Sequence, residues 1–300
     1  MQQTRQEWLA QRRTGIGGSD VAPILGMSKW TTPLQVYEDK IGIGQEQDEN
    51  PAMKWGRIHE PSIRQEYAET TGRTVYVPDS ILIHPKHTFM LASLDGITDD
   101  DRVFEAKTAR SADGWGEPGS ADVPEAYALQ VQHYLAVTGK QIADVAVLIG
   151  GSDFRIYTLE ADKELQAMLF EAELEFWHRV QTRNPPEATT LSDSVRAFGR
   201  SESQGLVQAS SQAVHAWAEL KRVREVLAEL EAQEEACKAI ITKELGNIGD
   251  TLVEGGAVLA TWKLAKGRSS FDTKALQQAY PQIHAAFVSE GQPSRRLLIK

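Results

Sequence analysis

The residues best placed to do chemistry lie in residues 94–108, where Leu-Asp-Gly-Ile is followed by a charged turn and then Val-Phe-Glu-Ala-Lys-Thr. Side chains of a strand alternate between faces, so Glu105 and Lys107 point one way and Phe104 and Ala106 the other. The acidic link 98–102 has the composition of a hairpin turn, and folding back on it brings Asp95 beside Glu105. Two carboxylates and an amine then meet at one spot on a sheet. Hard oxygen ligands suit Mg2+ or Mn2+, and the lysine can hold or deprotonate a water at the metal, an arrangement that serves phosphodiester hydrolysis. A purely structural explanation competes, because Asp-Gly is common in turns and Glu-x-Lys on exposed strands. Against it, Val103, Phe104, Ala106 and Ala109 make the strand read as largely buried, where charges are costly unless paired or bound to metal.

Several elements must position this stretch. Residues 4–13 read as a short helix, with Thr4 as N-cap and Glu7 completing a capping box. Gly15-Ile-Gly-Gly breaks it, and Ser19 caps a second helix over 20–25. A glycine turn feeding a helix N-terminus offers backbone N–H groups to an anion, with Arg12 and Arg13 in reach; a plain capped loop explains the same residues. The turn lacks a full phosphate-binding P-loop. A third helix covers 32–41, a polar loop 45–50, and a longer helix 53–71, with Trp55, Ile58, Ile63 and Tyr67 as its buried stripe and Glu60 early in it. Residues 73–84 and 89–93 read as strands, and 110–123 as an exposed loop. Pro124 opens a helix to Val137 that carries Gln130 and Tyr134 on one face, where they need polar partners. Strands at 142–149 and 153–159 and a helix at 161–182, stopped by Asn184-Pro-Pro, complete a domain over residues 1–184.

Residues 185–204 are poor in apolar side chains and read as a linker. A module follows over 205–300. Heptad-like spacing of Val214, Trp217, Leu220, Val223, Leu227 and Leu230 predicts one long helix or a helical hairpin over 207–245. A β-hairpin at 250–266 turning at Glu254-Gly-Gly, a helix at 272–280 and a terminal strand at 296–300 come next.

The 300 residues are 41% hydrophobic and 25% charged, ordinary for a globular chain, and no apolar run approaches a membrane span. The N-terminal residues do not resemble a signal peptide. The single cysteine, Cys237, excludes an internal disulfide and a cysteine-rich zinc site. These features point to the cytoplasm. A net charge of −10 argues against a broad basic surface for nucleic acid but leaves room for a local basic groove. Residues 255–300 carry seven basic side chains against two acidic ones, a net of +5.

Five motifs occur in order: Trp8-Leu-Ala-Gln-Arg-Arg-Thr-Gly-Ile-Gly-Gly-Ser19, Trp55-Gly-Arg-Ile-His-Glu60, Ala92-Ser-Leu-Asp-Gly96, Glu105-Ala-Lys107 and Gln130-Val-Gln-His-Tyr134. Together, over roughly residues 8–160, they resemble the phage-type alkaline exonucleases, the YqaJ and lambda exonuclease group of the PD-(D/E)xK nuclease superfamily. The resemblance implies an α/β fold of the α+β type, a mixed central sheet flanked by helices, with the mainly helical C-terminal module appended. It implies Asp95 and Glu105 as Mg2+ ligands, with the carbonyl of Ala106 as a third. Lys107 would orient or deprotonate the attacking water, Glu60 would help hold a second metal or its waters, and Gln130 would steady the lysine or water. An arginine and Ser19 would contact the terminal 5′-phosphate; spacing favours Arg12, and the adjacent Arg13 leaves the choice open. One departure is that no proline precedes the aspartate.

The implied activity is Mg2+-dependent digestion of the 5′ strand of linear duplex DNA, leaving 3′ single strands for recombination. Implied partners are duplex ends, a single-strand annealing protein or recombinase, and further copies of the chain in a ring of three, in a host cytoplasm if a phage encodes it. Two other readings accommodate the motifs: an endonuclease of the same superfamily, and an inactive DNA-binding or assembly module.

Overall fold

The computed structural model describes residues 5–44, 50–202, 205–289, 291 and 294–299. The expected Thr4 cap and most of the 45–50 loop lie outside these residues. The chain divides into two compact units, residues 1–197 and 198–300.

The first unit begins with α1 (Arg5–Arg12), β1 (Ile16–Gly17), α2 (Gly18–Ile24), α3 (Pro33–Lys40) and α4 (Pro51–Thr71). It continues through β2 (Val75–Tyr76), β3 (Leu82–Ile83), β4 (Met90–Ala92), β5 (Gly96–Thr98) and β6 (Val103–Ala109). Helix α5 (Glu125–Thr138) leads to β7 (Ile142–Ile149) and β8 (Asp153–Glu160), and α6 (Lys163–Thr182) and α7 (Leu191–Phe198) follow.

Five strands form the central sheet in the order β2-β5-β6-β7-β8. All neighbours are antiparallel except β6 and β7, which run parallel because α5 supplies the crossover between them. The sheet is therefore mixed, with helices on both faces. Phe104, Ala146, Ile63 and Tyr67 pack together where α4 covers one face. Val103, Val145, Val147 and Tyr157 join Val131, Tyr134 and Leu135 of α5 in the larger core on the other. Strand alternation thus turns Glu105 and Lys107 toward α5. A smaller sheet, β1-β4-β3, lies beside it, with β1 parallel to β4.

Four expectations need correction. The stripe on α4 is half its expected length: Ile63 and Tyr67 are buried, but Trp55 and Ile58 are exposed, because Gly56 is the residue that this part of α4 turns toward Thr108 of β6. The extended run over 73–84 is divided at Pro78, so that β2 joins the central sheet and β3 the small one. The segment read as a linker contains α7, held by the buried carboxylate of Asp193, which accepts from Thr32 Oγ1 at 2.8 Å and from Thr189. Arg196 adds an ion pair to Glu38 at 2.9 Å. Finally, residues 296–299 form no strand.

The second unit comprises α8 (Ser211–Leu245), β9 (Thr251–Glu254), β10 (Ala257–Thr261), α9 (Thr273–Ala279) and α10 (Pro281–Phe287). The long heptad-patterned stretch is one continuous helix, capped by Ser210. Strands β9 and β10 pair as the hairpin the Glu254-Gly-Gly sequence predicts. Helix α10, begun by Pro281 at its first turn, had no expectation attached to it.

Candidate active site

The β5–β6 hairpin has the register Gly96↔Phe104 and Ile97↔Val103, which leaves Asp95 beside Ala106 at the open end. The Ala106 amide donates to Asp95 Oδ2 at 2.8 Å. Gly96 is needed for this arrangement, since a Cβ there would stand 2.2 Å from Val75 Cγ1 and part β2 from the sheet.

Glu105 is buried. Its Oε1 accepts from Lys107 Nζ at 2.6 Å and from Gln130 Nε2 at 2.7 Å, while Oε2 is buried with no hydrogen-bond partner. Gln130 Oε1 in turn accepts from Lys107 Nζ at 3.1 Å, and Gln130 Nε2 also donates to the Tyr134 hydroxyl at 3.0 Å. The lysine ammonium lies over the Tyr127 ring, 4.8 Å from its centre. Glu60, on α4, pairs with Arg64 at 3.1 Å, and Arg64 also donates to the Asp95 carbonyl at 3.4 Å.

Charges in this cluster are out of balance. Burial raises the Asp95 carboxyl above the usual range, although Lys107 opposes it. Burial and the nearby Asp95 push Glu105 up to about 8. Burial and Asp95 also raise Glu60. Burial would lower Lys107, but Glu105 and Asp95 outweigh it and hold the ammonium protonated. Three crowded carboxylates and an orphaned buried oxygen fit a hard divalent cation. Among the described residues no three His, Cys, Asp or Glu side chains form a closed metal cage.

The pocket next to this cluster, about 180 Å³, is lined by Asp95, Glu105, Gln130 and Tyr134 on one side and by Trp8, Arg12, Gly17, Gly18 and Ser19 on the other. Gly17 is the N-cap of α2, and Ser19 stands inside its first turn instead of capping it as the sequence suggested. Gly18 allows the close approach: a Cβ there would lie 2.6 Å from Tyr134 Cε1 and 3.0 Å from Gln130 Cγ. Arg12 reaches Ser19 Oγ at 2.5 Å and Asp20 Oδ1 at 3.2 Å, with its guanidinium over Trp8. Arg13 turns elsewhere and pairs with Asp39 at 3.3 Å. The structure therefore puts Arg12, not Arg13, at the pocket.

Sequence reasoning missed the support beneath Arg12. Asp20 accepts from Lys40 Nζ at 2.6 Å and from the Gly17 amide at 2.9 Å, and Lys40 also donates to the Arg12 carbonyl at 3.0 Å. Burial opposes ionisation of Asp20, yet Lys40 and Arg12 hold its carboxyl well below the usual range. The acidic residue at the third position of α2 was the available signal, a capping-box residue after a glycine turn. Lys40 had none, because only the packing of α3 brings it there.

The fold and this cluster define a mixed-sheet α/β protein with a carboxylate–lysine centre beside a basic pocket on a helix N-terminus. A sequence model of the YqaJ-like viral recombinase domain matches residues 7–141, a span that contains every residue of the cluster. The chain is 31% identical over 290 residues to the uncharacterized protein YqaJ of Bacillus subtilis (strain 168), covering 94% of this chain and 90% of that one. It belongs to the YqaJ family. Protein D345L of African swine fever virus (isolate Tick/Malawi/Lil 20-1/1983) is 28% identical over 92 residues, 29% of this chain and 27% of its own length. Among solved structures, an alkaline exonuclease (LHK-Exo) from Laribacter hongkongensis superposes with a TM-score of 0.49 at 23% identity, over 60% of this chain and 94% of that one.

Proposed function

We propose that the chain is a divalent-metal-dependent deoxyribonuclease that digests the 5′ strand of linear duplex DNA from its end and leaves a 3′ single strand for recombination. The observation that carries this reading is the opening of one pocket onto both Glu105 with Gln130 and Arg12 with Ser19. On this reading the carboxylates and the α2 turn, which face the same small space, serve hydrolysis and anion binding together. The match to the YqaJ-like viral recombinase domain agrees with it.

Asp95 and Glu105 would hold the metal, Mg2+ or Mn2+, with the Ala106 carbonyl as a further oxygen and Glu60 reaching its waters. When bound, the ion neutralises charge on the scissile phosphate and acidifies a coordinated water. Lys107, kept cationic by its carboxylate neighbours, orients the attacking water through a donated hydrogen bond. Gln130 fixes the lysine and Glu105 together. Arg12, Ser19 and the free amides at the start of α2 receive the terminal 5′-phosphate, which places the next phosphodiester bond at the carboxylates.

A 5′-labelled linear duplex and a closed circular plasmid, each with and without Mg2+, test the proposal. Expected are Mg2+-dependent release of mononucleotides from the linear DNA, an intact plasmid, and faster digestion of 5′-phosphorylated than 5′-hydroxyl ends. A nicked or linearised plasmid would indicate an endonuclease instead. Equal rates on both kinds of end would remove Arg12 and Ser19 from the reading.

A further inference from the structure

Helix α8 runs for 35 residues, and along it only Leu245 is buried. At 1.5 Å per residue it is about 50 Å long. Leu220, Val223, Leu227 and Leu230 recur at alternating spacings of three and four, and Cys237 and Ile241 continue the pattern. Val223, Leu227, Leu230 and Ile241 are all exposed, as are Val226 and Ile240 on the border of the seam. An apolar stripe of this kind on a long helix, interrupted at Glu234, is the surface that a partner helix covers.

The charges along the stripe say which partner. Lys221, Arg222 and Arg224 cluster near its start, with Glu219 and Glu225 among them, and Glu229, Glu231, Glu234 and Glu235 follow in its second half. A second copy laid antiparallel puts the basic half of each helix over the acidic half of the other. With Leu227 set against Leu230 of the second copy, Leu220 falls opposite Cys237, and Arg224 falls beside Glu231. Glu234, which breaks the apolar pattern, then lies opposite Val223 with Arg222 and Arg224 on either side. Arg222 and Lys238 already have partners on their own helix, Glu219 for the first and Glu234 and Glu235 for the second. Arg224 and Glu231 have no ion pair among the described residues, so both are available across the seam. A parallel pair would instead press Glu234 against its own copy in the core of the interface, where two like charges repel. The antiparallel arrangement is also isologous: every contact occurs twice about a two-fold axis, and the association closes at two.

We propose that α8 is a self-association surface through which two copies of this chain pair antiparallel along residues 220–241. If the first unit also assembles into a ring of three, paired α8 helices join two such rings into six copies.

Sedimentation equilibrium of the full chain is expected to return an even number of copies, halved by the double substitution Leu227→Glu, Leu230→Glu. The single cysteine reports orientation without relying on that variant's folding. In the antiparallel register the two Cys237 thiols lie about 25 Å apart along the seam, from the 1.5 Å rise per residue, beyond the reach of a short bismaleimide. Leu220→Cys sets a second thiol opposite Cys237. Covalent dimers are expected from Leu220→Cys and not from the wild type. One or three copies in the wild type, covalent dimers formed through Cys237 alone, or none from Leu220→Cys would each overturn the proposal.

Discussion

Replacing Glu105 by glutamine tests whether the cluster is built for a cation, with stability as the readout. Burial, aided by the charge of Asp95, pushes the Glu105 carboxyl from 4.5 up to about 8. Between those values the folded chain keeps a proton that the unfolded chain has released. Stability is therefore full below about pH 4.5, falls as pH rises through the window, and reaches its floor above about pH 8. At 1.36 kcal/mol per unit, the shift corresponds to roughly 5 kcal/mol. Glu105 titrates coupled to the charge of Asp95, so the part removed by changing Glu105 alone is smaller, about 2–4 kcal/mol. In a unit of this size that amounts to roughly 5–15 °C in Tm. The assay is thermal unfolding in chelator from pH 5 to 9, repeated with Mg2+. In chelator the wild type should lose this stability toward pH 9, and Glu105→Gln should lose much less and overtake it. Mg2+ should restore the wild type at pH 9 and leave the variant unchanged. His133 also titrates, but it is common to both proteins and cancels in the comparison. Parallel pH profiles for the two proteins in chelator would refute the reasoning.

Lys107→Ala should lower Mg2+-dependent hydrolysis by about 100-fold or more, the range for a group acting on the attacking water; binding of a duplex end in Ca2+ should be nearly unchanged, as a gel-shift would report. Gly18→Ala drives a methyl group toward Tyr134 and Gln130 and shifts the start of α2, so turnover at saturating DNA should fall and KM for 5′-phosphorylated ends should rise, measured by single-end digestion. His133 Nδ1 lies 2.8 Å from Glu173 and Nε2 2.9 Å from the Leu91 carbonyl, both fully inside the protein. Glu173→Leu should therefore cost about 1–3 kcal/mol, read as a lower urea midpoint at pH 7, because it leaves the buried His133 Nδ1 without its partner.

The clustering of Asp95, Glu105 and Lys107 was legible because these residues are local or periodic. Alternation placed Glu105 and Lys107 on one face, and the short acidic turn placed Asp95 beside them, both from neighbours in sequence. Gln130 was legible as a polar side chain on an apolar helix in need of a partner; which partner it takes follows from the crossover that lays α5 on the face of Lys107. Spacing tipped the choice between Arg12 and Arg13 toward Arg12 but left it open, since two adjacent arginines differ only in direction, and that direction is set by Asp20 on α2 and Asp39 on α3, far from them in sequence. The α7 helix escaped because Asp193 looks like a solvated loop residue until Thr32, far away in the chain, supplies its partner. On α4 the period of Trp55, Ile58, Ile63 and Tyr67 was read correctly as helical, yet period alone does not say which residues of each turn face the sheet: near β6 it is Gly56, not Trp55 or Ile58.

The two pairings of β6 differ in kind. Its contact with β5 closes over a turn of a few residues, whereas its contact with β7 must wait for the loop and helix between residues 110 and 141. Short loops close sooner than long ones, so the hairpin is available early in folding and the parallel pair late. Asp95 and Glu105 thus come together before Gln130 arrives on α5 and before the α2 turn can dock against that helix. At that stage the hairpin brings two carboxylates together with Lys107 as their nearby counter-charge. Repulsion enters the folding route ahead of most of the groups that relieve it, so a site that holds a divalent cation should refold faster when the cation is present, and not only hold more firmly once folded.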